Sequence, residues 1–151
     1  MMTQQAFAEA LRDIALRRLC PILSFEKRRD LATWPIKIEL FPKTLHLYGE
    51  TRTDDRLVCI YAGNLTYRQE FAYDVLHELC HVPQGPVFVS MYDVMFGTNL
   101  GHSGIWVEYM NTLGLKPIAS GQITKIAMNN DNWHSELLAQ VNALGPVEGL
   151  L

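Results

Sequence analysis

Within eight residues, Asp74-Val-Leu-His77-Glu78-Leu-Cys-His81 sets two imidazoles and two carboxylates. On an α-helix, positions four apart lie about 40° apart around the axis and roughly 6 Å apart along it. His77 and His81 can therefore grip one Zn²⁺, and Glu78 can reach a water bound to the same ion. The chemistry this spacing suits is zinc-assisted hydrolysis, in which the ion acts as Lewis acid and Glu78 moves the proton. Asp74 lies one turn before His77 on the same face. It reads equally as an acceptor that orients a ligand ring and as a surface carboxylate.

A catalytic zinc usually takes three protein ligands, so a third must come from elsewhere. A metzincin would carry Gly three residues and His six residues beyond the second histidine, and those places hold Gln84 and Val87. Glu108 suits a gluzincin-like site, yet it projects about 120° away from His102 and from the apolar face of its own helix. Asp93 has suitable chemistry in a segment whose structure the sequence leaves open. His102 has the better case: it faces inward at a helix start, and Gly101 and Gly104 beside it permit close backbone approach. For the tetrahedral oxyanion, the sequence offers Tyr67, Tyr73, Tyr92 and Tyr109 without distinguishing among them.

The elements that must position these groups follow from periodicity. Thr3 caps a first helix whose stripe is Phe7, Leu11, Ile14 and Ala15, and Pro21 ends it. From Trp34 the period falls to two. Ile36, Ile38 and Leu40 alternate with Lys37 and Glu39, Leu45 and Leu47 alternate with His46 and Tyr48, and Leu57 to Tyr61 makes a more apolar, more central third strand. Thr53-Asp54-Asp55 marks a turn, and the three short strands predict an antiparallel sheet. His46 reads as a surface strand residue. Thr66-x-x-Gln69 predicts a capping box for the motif helix, with Ala72, Val75, Leu76, Leu79 and Cys80 on its core face and Pro83 stopping it just after His81. Cys80 is thus packing, not a thiolate ligand. Residues 82–100 form a long connection, apolar in its middle, that walls or lids a cleft if it lies between the ligand segments. A second helix, with Ile105, Trp106, Tyr109, Met110 and Leu113 at helical spacing, ends at Gly114. Asn129 to Asn132 form a loop, and Trp133 to Leu144 a last short helix.

The expected fold class is therefore α+β: an N-terminal helix, a small three-stranded antiparallel sheet, and a zinc-binding H-E-x-x-H helix packed against a second ligand-bearing helix. At 151 residues, with 48% hydrophobic and 19% charged residues, the chain suits a single domain over 1–151 that needs no staple. Its core would span about 5–115, with 116–151 as a C-terminal extension. Three cysteines without a C-x-x-C pair argue against a disulfide framework or a zinc ribbon. The charged N-terminal stretch does not read as a signal peptide, and no apolar run reaches the ~20 residues of a membrane span. The expectation is a cytoplasmic protein with no membrane partner. A net charge of −3 gives no general attraction to nucleic acid. Arg12, Arg17, Arg18, Lys27, Arg28 and Arg29 nevertheless cluster in sequence. They read first as a solvated helix face, and second as a weak DNA contact.

Taken together, His77-Glu78-Leu-Cys-His81, then Gly101-His102-Ser-Gly-Ile-Trp and a helix ending Leu113-Gly114-Leu115, resemble the SprT-like (Spartan-related) zinc metallopeptidases. That family pairs an H-E-x-x-H helix with a downstream G-H-G/S-x-x-F/W helix carrying the third histidine, behind a helix and a small antiparallel sheet. The likeness covers roughly residues 5–115. It implies one Zn²⁺ on His77, His81 and His102, Glu78 as the catalytic base, and protein or peptide substrates, DNA-associated proteins among them. The connection before His102 is longer than is usual for the family, and the zinc ribbon and DNA-binding tails of some members are lacking, which weighs against DNA dependence more than against peptidase chemistry. The alternative is a non-catalytic structural-zinc module acting as a nucleic-acid or protein adaptor. Structural zinc normally takes four protein ligands, and the sequence shows no fourth.

Overall fold

A computed structural model describes residues 1–41, 47–86, 102–118 and 123–151. The N-terminal helix α1 (Gln4–Leu19) starts where the Thr3 hydroxyl accepts the Ala6 N–H at 3.0 Å. It buries Phe7, Leu11, Ile14 and Ala15, and it gives way at Leu19 to a 3₁₀ turn containing Pro21. A second helix, α2 (Phe25–Thr33), was not expected. Ser24 caps it by accepting the Lys27 N–H at 3.3 Å. Leu31 is its one buried residue, so no apolar stripe announces it.

The sheet is mixed, which corrects the expected antiparallel one. Strands β1 (Ile36–Glu39), β2 (Gly49–Arg52) and β3 (Leu57–Tyr61) lie in the order β1-β3-β2. β1 runs parallel to β3, with Ile36 opposite Val58 and Ile38 opposite Ile60. β2 runs antiparallel to β3, with Thr51 opposite Val58. After β1 the chain passes to the far side of β3 before β2 begins. A turn over residues 53–56, with Arg56 at φ 50°, then reverses it into β3. Central β3 is apolar as expected: Val58, Cys59 and Ile60 are fully buried. Leu40, expected on the inward alternation of β1, lies beyond the strand and is exposed. The second strand also sits later than expected. Leu45 and His46 lie outside the described residues, and Leu47 and Tyr48 precede β2, although the Tyr48 carbonyl still accepts the Tyr61 N–H at 2.9 Å.

The long helix α3 (Arg68–Gln84) crosses this layer with Ala72, Val75, Leu76, Leu79 and Cys80 buried along its back. Its cap lies one residue later than the Thr66/Gln69 box. Glu70 reaches back to accept the backbone N–H of Thr66 at 2.5 Å and of Tyr67 at 3.2 Å, and Thr124 donates its hydroxyl to the same carboxylate. Gln69 instead donates to the Ala127 carbonyl at 2.8 Å. Pro83 does not stop the helix: it sits inside the last turn, and α3 closes at Gln84 before Gly85 at φ 72°. A proline there removes one hydrogen bond to the preceding turn, and the chain tolerates that loss so near the end.

Helix α4 (Gly104–Leu113) begins at Ser103, whose hydroxyl accepts the Trp106 N–H at 3.4 Å, and ends at Gly114 with φ 112°. Trp106, Tyr109, Met110 and Leu113 face the core, whereas Ile105 is 38% exposed and leaves the expected stripe. Two further helices follow, α5 (Ile123–Met128) and α6 (Ser135–Asn142). The part beyond residue 115 is built into the same core, to which it supplies Trp133, Leu137, Val141 and Val147. Arg68 ties it to α3, donating to the Gly145 and Val141 carbonyls while its guanidinium lies 4.7 Å from the Phe7 ring centroid.

Candidate metal centre

One turn of α3 carries His77 and His81 on the face away from the core, and His102 meets them from the residue before the α4 cap. The His77 Nε2 lies 3.3 Å from the His81 Nε2 and 3.2 Å from the His102 Nε2. One ring nitrogen from each histidine falls within 4.8 Å of the others. Trp106, fully buried, is the floor beneath all three rings, with centroids 4.4 Å from His102, 5.0 Å from His77 and 5.5 Å from His81. At the end of the helix, Gln84 Oε1 meets His81 Nδ1 at 3.3 Å. Burial, reinforced by the neighbouring imidazoles, pushes His77 well below the usual histidine range. The same causes bring His81 down to about 4. Both rings are therefore neutral near pH 7, the form that offers a lone pair to a metal.

These residues fit a metal ion. Hydrogen bonds alone poorly satisfy three imidazole nitrogens converging on one point, because two facing lone pairs repel and a ring nitrogen carries at most one proton. An ion about 2.0–2.1 Å from each nitrogen in tetrahedral geometry would set those nitrogens about 3.3–3.4 Å apart. The two spacings from His77 Nε2, 3.3 Å to His81 and 3.2 Å to His102, lie close to it.

Glu78 lies beside the histidines, 6% exposed, with Oε2 3.8 Å from His77 Nε2. Thr51 of β2 lies against it, its hydroxyl 3.0 Å from Glu78 Oε1 and 2.9 Å from the Glu78 carbonyl. Burial raises the carboxyl to about 7, with the Thr51 hydrogen bond opposing the shift and the Glu50 charge adding to it.

Asp74 is 2% exposed, so it is not a surface carboxylate. Neither does it orient the His77 ring: Asp74 Oδ2 and His77 Nδ1 are both buried without a hydrogen-bond partner among the described residues. It faces β2 instead, where a Cβ added to Gly49 would stand 2.6 Å from Asp74 Oδ2. Burial, and then the charges of Glu78 and Glu70, hold its carboxyl well above the usual range.

The other candidates fall away from the cluster or outside the described residues. Glu108 is exposed on α4, as its projection predicted. Asp93, Tyr92, His46, Gly101 and most of the 82–100 connection lie outside the described residues. Tyr109 accepts a hydrogen bond from Lys27 Nζ at 3.1 Å, and Tyr73 is buried with its ring centroid 6.2 Å from His77. Cys80 is core, its thiol pushed up by burial. The basic cluster disperses. Arg12 is buried against the Leu31 and Ala32 carbonyls, and Arg18 donates to the Leu113 carbonyl at 2.6 Å, which leaves Arg17, Arg28 and Arg29 exposed. Sequence reasoning missed Thr51 and Gly49, which no local motif marks. It named Trp106 only as a core residue.

Among the described residues, no helix is long and apolar enough to cross a membrane. Comparison with protein-family models, curated proteins and solved structures returned no match.

Proposed function

We propose that the chain is a zinc-dependent metalloendopeptidase of SprT-like type, hydrolysing peptide bonds in protein substrates, DNA-associated proteins among the candidates. The observation that carries this reading is the meeting of three imidazoles within reach of one ion, with a buried carboxylate 3.8 Å from one of them. His77, His81 and His102 would hold the ion. When bound, zinc supplies Lewis acidity toward a carbonyl and toward water. Glu78 accepts the proton of the attacking water and delivers it to the leaving amine nitrogen. A structural centre would have no use for that carboxylate. β2, at one edge of the sheet and packed on α3, offers backbone groups along which an extended peptide can add as a strand.

Glu78→Gln tests this reading. The variant is expected to keep one zinc per chain by elemental analysis and to lose hydrolysis of an unfolded protein such as casein, falling at least about 100-fold. Wild-type turnover by a zinc-replete variant would remove Glu78 as the base. Stoichiometric zinc without chelator-sensitive hydrolysis in the wild type would turn the reading to a non-catalytic zinc-binding adaptor.

A further inference from the structure

We propose that Thr51 is a positioning residue for the Glu78 carboxylate. The inference rests on the peptidase reading for its effect on rate, and on geometry alone for the contact. β2 meets α3 without a bulky side chain at the closest point, because Gly49 stands where a Cβ would lie 3.0 Å from Glu78 Cγ and 3.1 Å from the Cys59 carbonyl. That approach brings Thr51, two residues on and on the same strand face, into double contact with Glu78. A hydroxyl has one proton and two lone pairs, so Thr51 can donate to the carboxylate or to the helix carbonyl and can also accept. When Thr51 donates to the carboxylate it ties the Glu78 side chain from outside its helix, and the Glu78 carbonyl 2.9 Å away is the alternative acceptor for the same proton. The Glu78 side chain, with three rotatable bonds, would otherwise choose among several rotamers, and a base misplaced by about 1 Å loses much of its rate. Among the described residues, Thr51 makes no hydrogen bond to His77 or His81, so the contact acts on the base and not on those two rings.

Thr51→Val and Thr51→Ser provide the test. Valine keeps the branched shape that suits a strand and removes the hydroxyl; serine keeps the hydroxyl. Purified zinc-loaded wild type and both variants would be compared by crystallography, zinc content and steady-state hydrolysis of a peptide substrate. The expected result is a Glu78 side chain in one rotamer in the wild type and in Thr51→Ser, and spread over several in Thr51→Val. Thr51→Val should retain full zinc and a KM within about twofold while kcat falls about 10- to 100-fold, with Thr51→Ser within about threefold of wild type. An ordered Glu78 in Thr51→Val, or an unchanged kcat, would overturn the proposal. So would loss of zinc or failure of serine to restore the rate, since either makes Thr51 a structural residue. A wild type that orders Glu78 through Thr51 and hydrolyses nothing would sink the peptidase reading and leave the positioning contact standing.

Discussion

At the scale of single residues, the division of labour turns on which side chains converge and which only lie nearby. His102 and Glu108 both belong to the α4 region and both have ligand chemistry, yet only His102 brings a nitrogen to within 3.2 Å of His77 Nε2. His102→Ala should therefore weaken zinc affinity by more than about 100-fold, because removing a ligand does at least what removing a ligand's supporting partner does. Glu108→Ala should leave affinity within about twofold, since its carboxylate is exposed on the far face. Competition titration against a chromophoric chelator measures both, and the reverse order would transfer the third ligand to Glu108. Burial accounts for Asp74 in a different way. Its unpartnered Oδ2 is turned toward β2, so its place is between helix and strand and not behind a ligand ring.

At the scale of elements, the site exists because a strand and a helix approach closely. Gly49→Ala would place a Cβ 2.6 Å from Asp74 Oδ2, inside any normal contact, and the strand or the helix must shift. Overpacking of this kind costs about 1–3 kcal/mol, which corresponds to a fall in Tm of roughly 2–12 °C for a chain of this size. Thermal unfolding would show it, and an unchanged Tm would mean that β2 and α3 stand further apart. The same junction explains what the sequence could convey. α1, α3 and α4 each bury a stripe at helical spacing and were legible from it, as was the meeting of His77 and His81 on one helix turn. α2 buries only Leu31, and β2 reads Gly-Glu-Thr-Arg with no apolar residue, so neither carries a pattern to detect. Strand direction was equally hidden, because alternation fixes which face is buried and says nothing of whether β1 meets β3 head-on or alongside. Thr51 meets Glu78 across 27 residues of sequence, a pairing that only the folded sheet creates.

At the scale of the whole molecule, the three histidines bring together two helices that are remote in sequence. α3 gives His77 and His81, and His102 arrives 21 positions after His81 in the sequence. Each helix already buries its other face: α3 through Leu76 and Leu79, α4 through Trp106 and Met110, in one continuous core shared with α1 and α6. An ion bound only by the folded chain adds stability by mass action on top of that core, about 4.1 kcal/mol at a free concentration 1,000 times its Kd. For a domain of this length that corresponds to a rise in Tm of roughly 8–16 °C. Chelation should therefore lower Tm by that amount without unfolding the protein at room temperature, because the apolar core that holds both helices includes none of the three histidines. Glu78→Gln should show the same chelator-sensitive shift, and His102→Ala should lose most of it. Differential scanning calorimetry of the three proteins with zinc and with chelator makes the comparison. Equal Tm values for the wild type under both conditions would show that the three histidines do not hold an ion in the folded chain, and the catalytic reading would fall with them.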